Sequence, residues 1–361
     1  MSTAREIYEG ELWRLPVRER RQALAKAVAL ADAEGDLDLG FEIRMDLISE
    51  SHGSPDRLAQ VAAYGWCLAR HDEDPDRFPV DLWYYKWIPG AIAGSPEVSR
   101  AQIHALLDDL AMRFDSGAKE SPPVVKLRMR AAFDLGDEEE AAELFDLWMA
   151  RRQEMGRSRL DDCRACDIAE EASSLRRFGR HDEAIEAGLP LTDGNQGCAS
   201  EPHYALANVL ESARAVGAWD RAAAWQRRGL DLIENDPDYH DALADHIRHV
   251  AIAGTRGIAA DGTSTYQVVP DQIRAALSLA ANALPTLDGD EEFDFVFYRG
   301  VRVALVAADA AAIESEQVSE LHAAVDGKAE SLAAAFDIRS GNSSTSDLLR
   351  RDDRELEAGI A

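Results

Sequence analysis

Apolar residues recur at every third or fourth position along almost the whole chain. This spacing puts them on one face of an α-helix, so the pattern predicts a protein built from amphipathic helices. Gly, Pro and Asp-containing breaks divide the chain into segments of ordinary helix length. The one strand-like stretch is the short run 266–269. The predicted helices are 17–34, 37–51, 55–71, 80–93, 97–114, 122–135, 137–152, 160–178, 181–190, 202–216, 219–235, 237–253, 269–284, 291–311 and 314–336.

Four of the breaks share one feature, a glycine followed five positions later by a small residue. Glycine ends a helix in the left-handed conformation that other residues resist, and the small residue lets the second helix approach the first. The intervals between the last three of these glycines are 43 and 38 residues, a spacing typical of helix-turn-helix repeats. The fold class predicted is therefore all-α, a helix-turn-helix repeat solenoid. The four pairs are Gly35/Gly40, Gly136/Ala141, Gly179/Ala184 and Gly217/Ala222.

In these turns, and in the Asp236-Pro237 break after a second helix, the chain resembles the tetratricopeptide-repeat family. The position four residues after the small one departs from the family pattern, because Phe145 is bulky there whereas Gly188 and Gln226 are not. The resemblance implies a solenoid whose concave groove binds extended or helical segments of other proteins.

Domain organisation follows from where the helical pattern weakens. A single solenoid is predicted over 1–338, with a sub-boundary near 254–269, where GTRGIAADGTSTYQVV interrupts the helices. From about residue 339 the chain turns polar, and 339–361 is predicted to be a flexible C-terminal tail.

Three of the four cysteines form the strongest candidate for chemistry. Cys163 and Cys166 begin a predicted helix in DDCRACD, where the positive helix end favours their thiolates. Cys198 and His203 precede or begin the first helix of the next predicted unit, which lies beside it. Three Cys and one His suit a closed tetrahedral zinc site, so we expect structural Zn²⁺ on these four residues.

Two other readings of this cluster stay open, namely buried free thiols packed between helices and a redox-active pair. The fourth metal ligand is open as well. Asp162, Asp167 and His181 compete with His203 for that role.

The same region carries a second resemblance. DCRAC, FGRHDEA, GCASEPH at 197–203 and HIRHVAIAGTRG at 246–257 are similar to a group of tetratricopeptide-like proteins from high-GC Gram-positive bacteria. GWCLARHDEDPDRF at 65–78 and LWYYKW at 82–87 extend the resemblance upstream. It implies a shared fold and a shared metal site, and no particular activity.

An aromatic run supplies the candidate partner-binding residues Trp83, Tyr84, Lys86 and Trp87. On an α-helix Trp83 and Trp87 share a face, and Tyr84 and Tyr85 turn away from it. Such a stripe is either core between neighbouring helices or an exposed anchor for a peptide partner.

Charge and composition narrow the range of possible functions. The 361 residues carry a formal net charge of −28, which repels nucleic acids and anionic membranes and favours a basic ligand. No apolar signal segment or membrane-spanning run occurs, so a cytoplasmic location with reduced cysteines is expected. No Walker loop, GxGxxG, GxSxG or HExxH motif is present, and nothing indicates an enzyme.

The function expected is thus a protein-protein interaction scaffold or adaptor that binds a peptide or protein segment and carries structural zinc. The alternative is a zinc- or redox-responsive regulatory protein that uses the Cys cluster. Two lesser features are Cys67, expected in the core, and the histidines 240, 246 and 249, expected to be solvated or hydrogen-bonded rather than catalytic.

Overall fold

The structure, a computed structural model, describes residues 3–51, 57–115, 119–234, 236–287, 289 and 291–360. Over these residues it is helical, and its one β interaction is an isolated bridge between Ile258 and Ser264. Numbered in chain order, the α-helices are α1 (Ala4–Tyr8), α2 (Val17–Glu34), α3 (Leu37–Glu50), α4 (Arg57–Glu73), α5 (Trp87–Ala93), α6 (Arg100–Phe114), α7 (Pro122–Leu135), α8 (Glu138–Met155), α9 (Arg164–Arg177), α10 (His181–Thr192), α11 (His203–Ala215), α12 (Trp219–Ile233), α13 (His240–Thr255), α14 (Pro270–Ala283), α15 (Glu291–Ala310), α16 (Glu316–Val325), α17 (Lys328–Ser340) and α18 (Ser344–Ile360).

The chain divides into two compact units. Unit 1 comprises 1–134 and 146–160, and unit 2 comprises 135–145 and 161–361. The boundaries between the units fall at 134/135, 145/146 and 160/161, at the end of α7, within α8 and before α9. None of them lies near 254–269, where the composition predicts a sub-boundary. Around residues 254–269, α13 packs on α14 and α15. The loop 256–269 is closed by a hydrogen bond from Thr265 to Gly257 and returns to α13 through a hydrogen bond from Val269 to Gly254.

Both units are built from successive packed helices. In unit 1, α1 packs against α2, and each following pair of neighbours packs in the same way up to α5 and α6. In unit 2, α9/α10, α11/α12 and α13/α14 form hairpins, and the first helices α9, α11, α13 and α15 pack on one another in sequence. This stacking of hairpins is the helix-turn-helix repeat arrangement expected from the sequence, and the all-α fold class is confirmed.

The four glycine turns adopt the geometry that their pattern predicts. All four glycines have positive φ, between 71° and 75°. The small residue five positions later is buried in every case, as Ala141 and Ala222 show with 0% exposure. Close approach of the two helices of each hairpin therefore depends on both positions.

Three predicted helices differ from the observed ones. The span 80–93 contains a 3-10 helix, Leu82–Lys86, before α5, and 237–253 begins with the 3-10 helix Pro237–Tyr239. The span 314–336 is broken because Gly327, at φ 66°, separates α16 from α17. The strand-like run 266–269 is loop, with Tyr266 at φ 57° and 92% exposed.

The C-terminal segment also differs from its prediction. In place of a flexible tail over 339–361, α17 continues to Ser340 and residues 344–360 form helix α18. Leu349 and Leu356 of α18 are buried in the apolar core that extends from α13 to α17. The two leucines are seven residues apart and so lie on one helical face, which a polar composition concealed.

The described residues contain no candidate membrane-spanning helix. None of their helices combines the length and the apolar character that a bilayer crossing requires.

Candidate metal centre

Cys163 and Cys166 lie at the start of α9. Cys163 is the N-cap residue, and its sulfur accepts a hydrogen bond from the backbone N–H of Cys166 at 3.4 Å. The first N–H groups of a helix have no partner within the helix, so a thiolate at this position gains both a donor and the positive helix end. Cys163 is exposed and Cys166 is partly buried.

Cys198 is supplied by the segment 193–202 between α10 and α11. The start of this segment is held to α12, where the indole of Trp225 donates a 2.6 Å hydrogen bond to Asp193. Its middle is held by Tyr239, whose hydroxyl donates to the carbonyl of Ala199 at 3.2 Å. The N–H of Cys198 donates to the carbonyl of Glu201 at 3.0 Å, and this turn fixes the direction of its side chain.

The three sulfurs converge. Cys166 Sγ lies 3.4 Å from Cys163 Sγ and 3.7 Å from Cys198 Sγ, and the three atoms lie within 4.8 Å of one another. In a tetrahedral zinc site with Zn–S bonds of about 2.3 Å, the sulfurs are about 3.8 Å apart. The observed spacing therefore suits a thiolate-bound metal ion.

The electrostatics of the cluster distinguish the two cysteines of α9. Burial opposes ionisation of Cys163, but the hydrogen bonds from the Cys166 backbone and from the Cys166 and Cys198 thiols outweigh it and lower the pKa of Cys163. Burial and the neighbouring sulfurs raise the pKa of Cys166. Cys163 is therefore the more readily ionised of the two cysteines of α9, and a metal ion that binds thiolates here would displace the remaining thiol protons.

His203, the predicted fourth ligand, is the first residue of α11. Its ring stacks on Tyr239 with centroids 4.8 Å apart, and its Nδ1 is buried without a hydrogen-bond partner. Neither ring nitrogen belongs to the group of ligand atoms that the sulfurs form. Among the rivals, Asp167 is buried, and His181 Nδ1 lies 3.2 Å from the hydroxyl of Ser212.

Sequence reasoning missed Glu201, which is 5% exposed beside the cluster. Its Oε2 accepts a 2.9 Å hydrogen bond from the N–H of Ala205 in the first turn of α11. Burial raises the pKa of Glu201 to about 7, opposed by that hydrogen bond and reinforced by the charge of Glu170. The sequence contains a signal for the capping role of Glu201, because a carboxylate just ahead of a helix commonly caps it.

The aromatic residues of unit 1 form a compact cluster. Trp83, Tyr84 and Trp87 are half-buried and meet edge to face, with centroids 4.8 to 5.6 Å apart. Tyr84 faces the two tryptophans instead of turning away, because residues 82–86 form a 3-10 helix rather than an α-helix. Lys86 is 5% exposed, and its Nζ lies 4.5 Å from the centroid of the Trp83 ring.

The remaining candidates of the sequence are buried. Cys67 is fully buried, and burial raises the pKa of its thiol to about 12. His246 and His249 are buried in α13, where the Nδ1 of His246 lies 2.7 Å from the side-chain oxygen of Gln226. His240 Nε2 lies 2.7 Å from the hydroxyl of Thr286.

Comparison with known proteins finds similar chains among solved structures. No protein-family model and no curated protein matches this chain. A chain in the crystal structure of the APC/C hetero-tetramer Cut9-Hcn1 aligns with 97% of this chain and 67% of its own length, at 15% identity and a TM-score of 0.40. The function proposed below accordingly rests on the residues of this chain.

Proposed function

We propose that the protein is a non-enzymatic interaction scaffold that binds a peptide or protein segment and that carries a structural zinc ion on Cys163, Cys166 and Cys198. The observation that supports the zinc site most directly is the convergence of three sulfurs from segments 32 residues apart. The stacked helical hairpins of unit 2 support the scaffold. Cys163 and Cys166 start α9, whereas Cys198 precedes α11, and these are the first helices of adjacent hairpins. A metal ion bound here links two repeats.

His203 is the proposed fourth ligand. Its unpartnered buried Nδ1 is the feature that supports this assignment, since a buried ring nitrogen without a hydrogen bond is costly. A site closed by four protein ligands leaves no position for substrate, which makes the zinc structural rather than catalytic.

Metal analysis of the full chain tests the zinc site. Protein purified without added zinc is expected to hold one zinc ion per chain, and Cys163→Ser is expected to lose it. Cys67→Ala is the matched control, because Cys67 lies in the core of unit 1 and should leave the metal content unchanged. His203→Ala should weaken zinc affinity, whereas His181→Ala should not. Wild-type protein without metal would refute the site.

The partner surface that we propose is the cluster of Trp83, Tyr84 and Trp87. Half-buried aromatic residues that already pack on one another are typical anchors of protein interfaces, because little side-chain entropy is lost on binding. The ammonium group of Lys86 lies against the Trp83 ring and helps to hold this ring in position. With a net charge of −28 on the chain, a basic segment is the partner expected at this surface.

Cross-linking from the wild-type chain, followed by identification of the linked segment, provides the ligand for a quantitative test. Trp83→Ala with Trp87→Ala should reduce the affinity for that segment by at least about tenfold, as expected for interface anchors. Trp13→Ala is the control, since Trp13 is an exposed tryptophan elsewhere in unit 1. Equal affinity of both variants would exclude the aromatic cluster as the binding surface.

The second candidate function is a zinc- or redox-responsive regulator. The exposure of Cys163, together with its lowered pKa, favours this alternative because exposed thiolates react with oxidants and exchange metal ions. Chelation separates the two functions. A regulator changes its partner binding when zinc is removed, whereas a structural site shows only a lower melting temperature.

A further inference from the structure

Helix α18 lies across the first helices of unit 2 rather than beyond the last hairpin. It contacts α13, α15 and α17, and Glu355 near its end also reaches Arg214 of α11 at 2.8 Å. At the other end, the side-chain amide of Asn342 donates to the carbonyl of Leu135 at 2.7 Å. A helix that only completed the final hairpin with α17 would not also contact α11, α13 and α15, the first helices of three earlier hairpins.

The centre of the contact is an ion-pair cluster. Asp352 is fully buried and accepts hydrogen bonds from Arg299 at 2.6 and 2.8 Å and from Arg248 at 3.0 Å. Arg248 and Arg299 belong to α13 and α15, two successive first helices. The buried carboxylate of α18 is thus clamped between two repeats.

Further arginines of the same helices bind the flanks of α18. Arg302 of α15 donates to both oxygens of Asp353 at 2.7 and 3.0 Å, and Arg256, the C-cap residue of α13, donates to the carbonyl of Glu355 at 3.2 Å. Arg214, Arg248, Arg299 and Arg302 therefore form an arginine-lined face on α11, α13 and α15. Such a face stands out in a chain whose net charge is −28.

Simple coverage of a hydrophobic face does not require this chemistry. Buried ion pairs incur a large desolvation cost, and apolar side chains of similar volume stabilise a fold at least as well. What ion pairs supply is selection, because a helix that lacks the acids removes the carboxylate partner of Arg299 and leaves Arg248 and Arg302 with only their second partners, Asp245 and Glu330. The arginine-lined face is therefore suited to choosing one kind of helix over others.

We propose that the arginine-lined face is a binding site for acidic amphipathic helices, and that α18 is its intramolecular occupant, which a partner helix of the same pattern displaces. The pattern follows from α18: an apolar residue, an acid three positions later and a second apolar residue seven positions after the first, as in Leu349, Asp352 and Leu356. Acids at the positions of Asp353 and Glu355 complete the charge match. This site is separate from the aromatic cluster of unit 1, so the failure of either proposal leaves the other intact.

Competition follows from the short connection. Three residues, 341–343, join α17 to α18, so the effective concentration of α18 at the face is in the millimolar range. A partner helix in trans binds weakly while α18 is docked and more tightly once α18 is released. Salt screens the partly exposed pair of Arg302 and Asp353, but it has little effect on the buried pairs of Asp352.

The test uses the full chain and a fluorescent peptide with the sequence of residues 344–360. Asp353→Lys with Glu355→Lys in the chain places lysines against Arg302 and Arg214 and should release α18. We expect this variant to bind the peptide at least about tenfold more tightly than the wild type, given the lost intramolecular competitor. A peptide carrying Asp352→Arg should not bind. Equal binding of both peptides, or no binding to the folded variant, would overturn the proposal.

Hydrogen exchange on the wild-type chain decides the matter independently, including the case in which the double variant does not fold. A displaceable occupant opens more readily than the core, so amides of α18 should exchange faster than those of α13 and α15. Exchange of α18 in step with α13 and α15 would show an integral helix and overturn the proposal.

Discussion

Asp352 of α18 and Arg299 of α15 form a two-point ion pair in the interior of unit 2. Arg299 Nε lies 2.6 Å from Asp352 Oδ2 and its Nη2 lies 2.8 Å from Oδ1, and the aspartate is fully buried. Burial opposes ionisation of the aspartate, but Arg248 and Arg299 outweigh it and lower the pKa of Asp352. The pair stays charged at neutral pH, so each partner depends on the other for compensation.

Removal of the aspartate should destabilise unit 2 strongly. Asp352→Ala leaves Arg248 and Arg299 without their shared carboxylate, and loss of one partner of a buried pair typically costs about 3–5 kcal/mol. Urea unfolding followed by circular dichroism measures the change. Asp347→Ala is the control, because Asp347 is exposed and pairs with Arg350 on the same helix. A loss as small as that of the control would show that water compensates the arginines.

The sequence pattern predicted the fold well in those segments whose structure depends only on the spacing of apolar residues. Helices α2 and α7 begin and end at the predicted residues, and the glycine turns have the predicted conformation. Helix α18 was missed because its burial depends on Asp352 pairing with arginines 53 and 104 residues away. From the neighbouring residues alone, that aspartate is predicted to face solvent.

The candidate metal centre was only partly accessible to sequence reasoning. CxxC spacing together with the repeat register indicated that Cys198 meets Cys163 and Cys166. The environment of His203 was not predictable, since it depends on stacking against Tyr239 of a later segment. For Glu201, the position ahead of α11 indicates a capping role, whereas its burial depends on packing that the local sequence does not show.

Zinc removal should lower the stability of the wild-type chain and leave a cysteine variant unaffected. A ligand that binds only the folded state stabilises it, so chelation by EDTA removes that contribution from the wild type. Cys166→Ser should already have the lower melting temperature and should not respond to EDTA. Cys67→Ala should respond as the wild type does, which separates metal loss from a general effect of losing a thiol. A wild-type melting temperature that EDTA does not change would contradict the prediction.

Acid should destabilise the chain through His246. Burial, opposed in part by Asp245, lowers the pKa of His246 from 6.5 to about 4. Between these values the unfolded chain binds more protons, so stability rises with pH there and is lost as pH falls, by up to about 1.4 kcal/mol per pH unit for one group. Urea unfolding between pH 7 and pH 4 should give a shallower pH dependence for His246→Gln than for the wild type. His322→Gln, at an exposed position, should retain the wild-type slope.

Gly136 and Gly217 provide a matched pair for the repeat turns. Both have positive φ, 74° and 75°, so alanine at either position carries the backbone cost of about 1–2 kcal/mol. Around Gly217 nothing lies within 4 Å of an added Cβ, whereas at Gly136 the Cβ would lie 2.2 Å from the hydroxyl of Ser344. Gly136→Ala should therefore destabilise the chain more than Gly217→Ala in urea unfolding, because the segment that leads into α18 must also move. Adding Ser344→Gly should recover part of the difference at Gly136 and none at Gly217. Equal losses for the two alanine variants would mean that the segment before α18 does not pack on this turn.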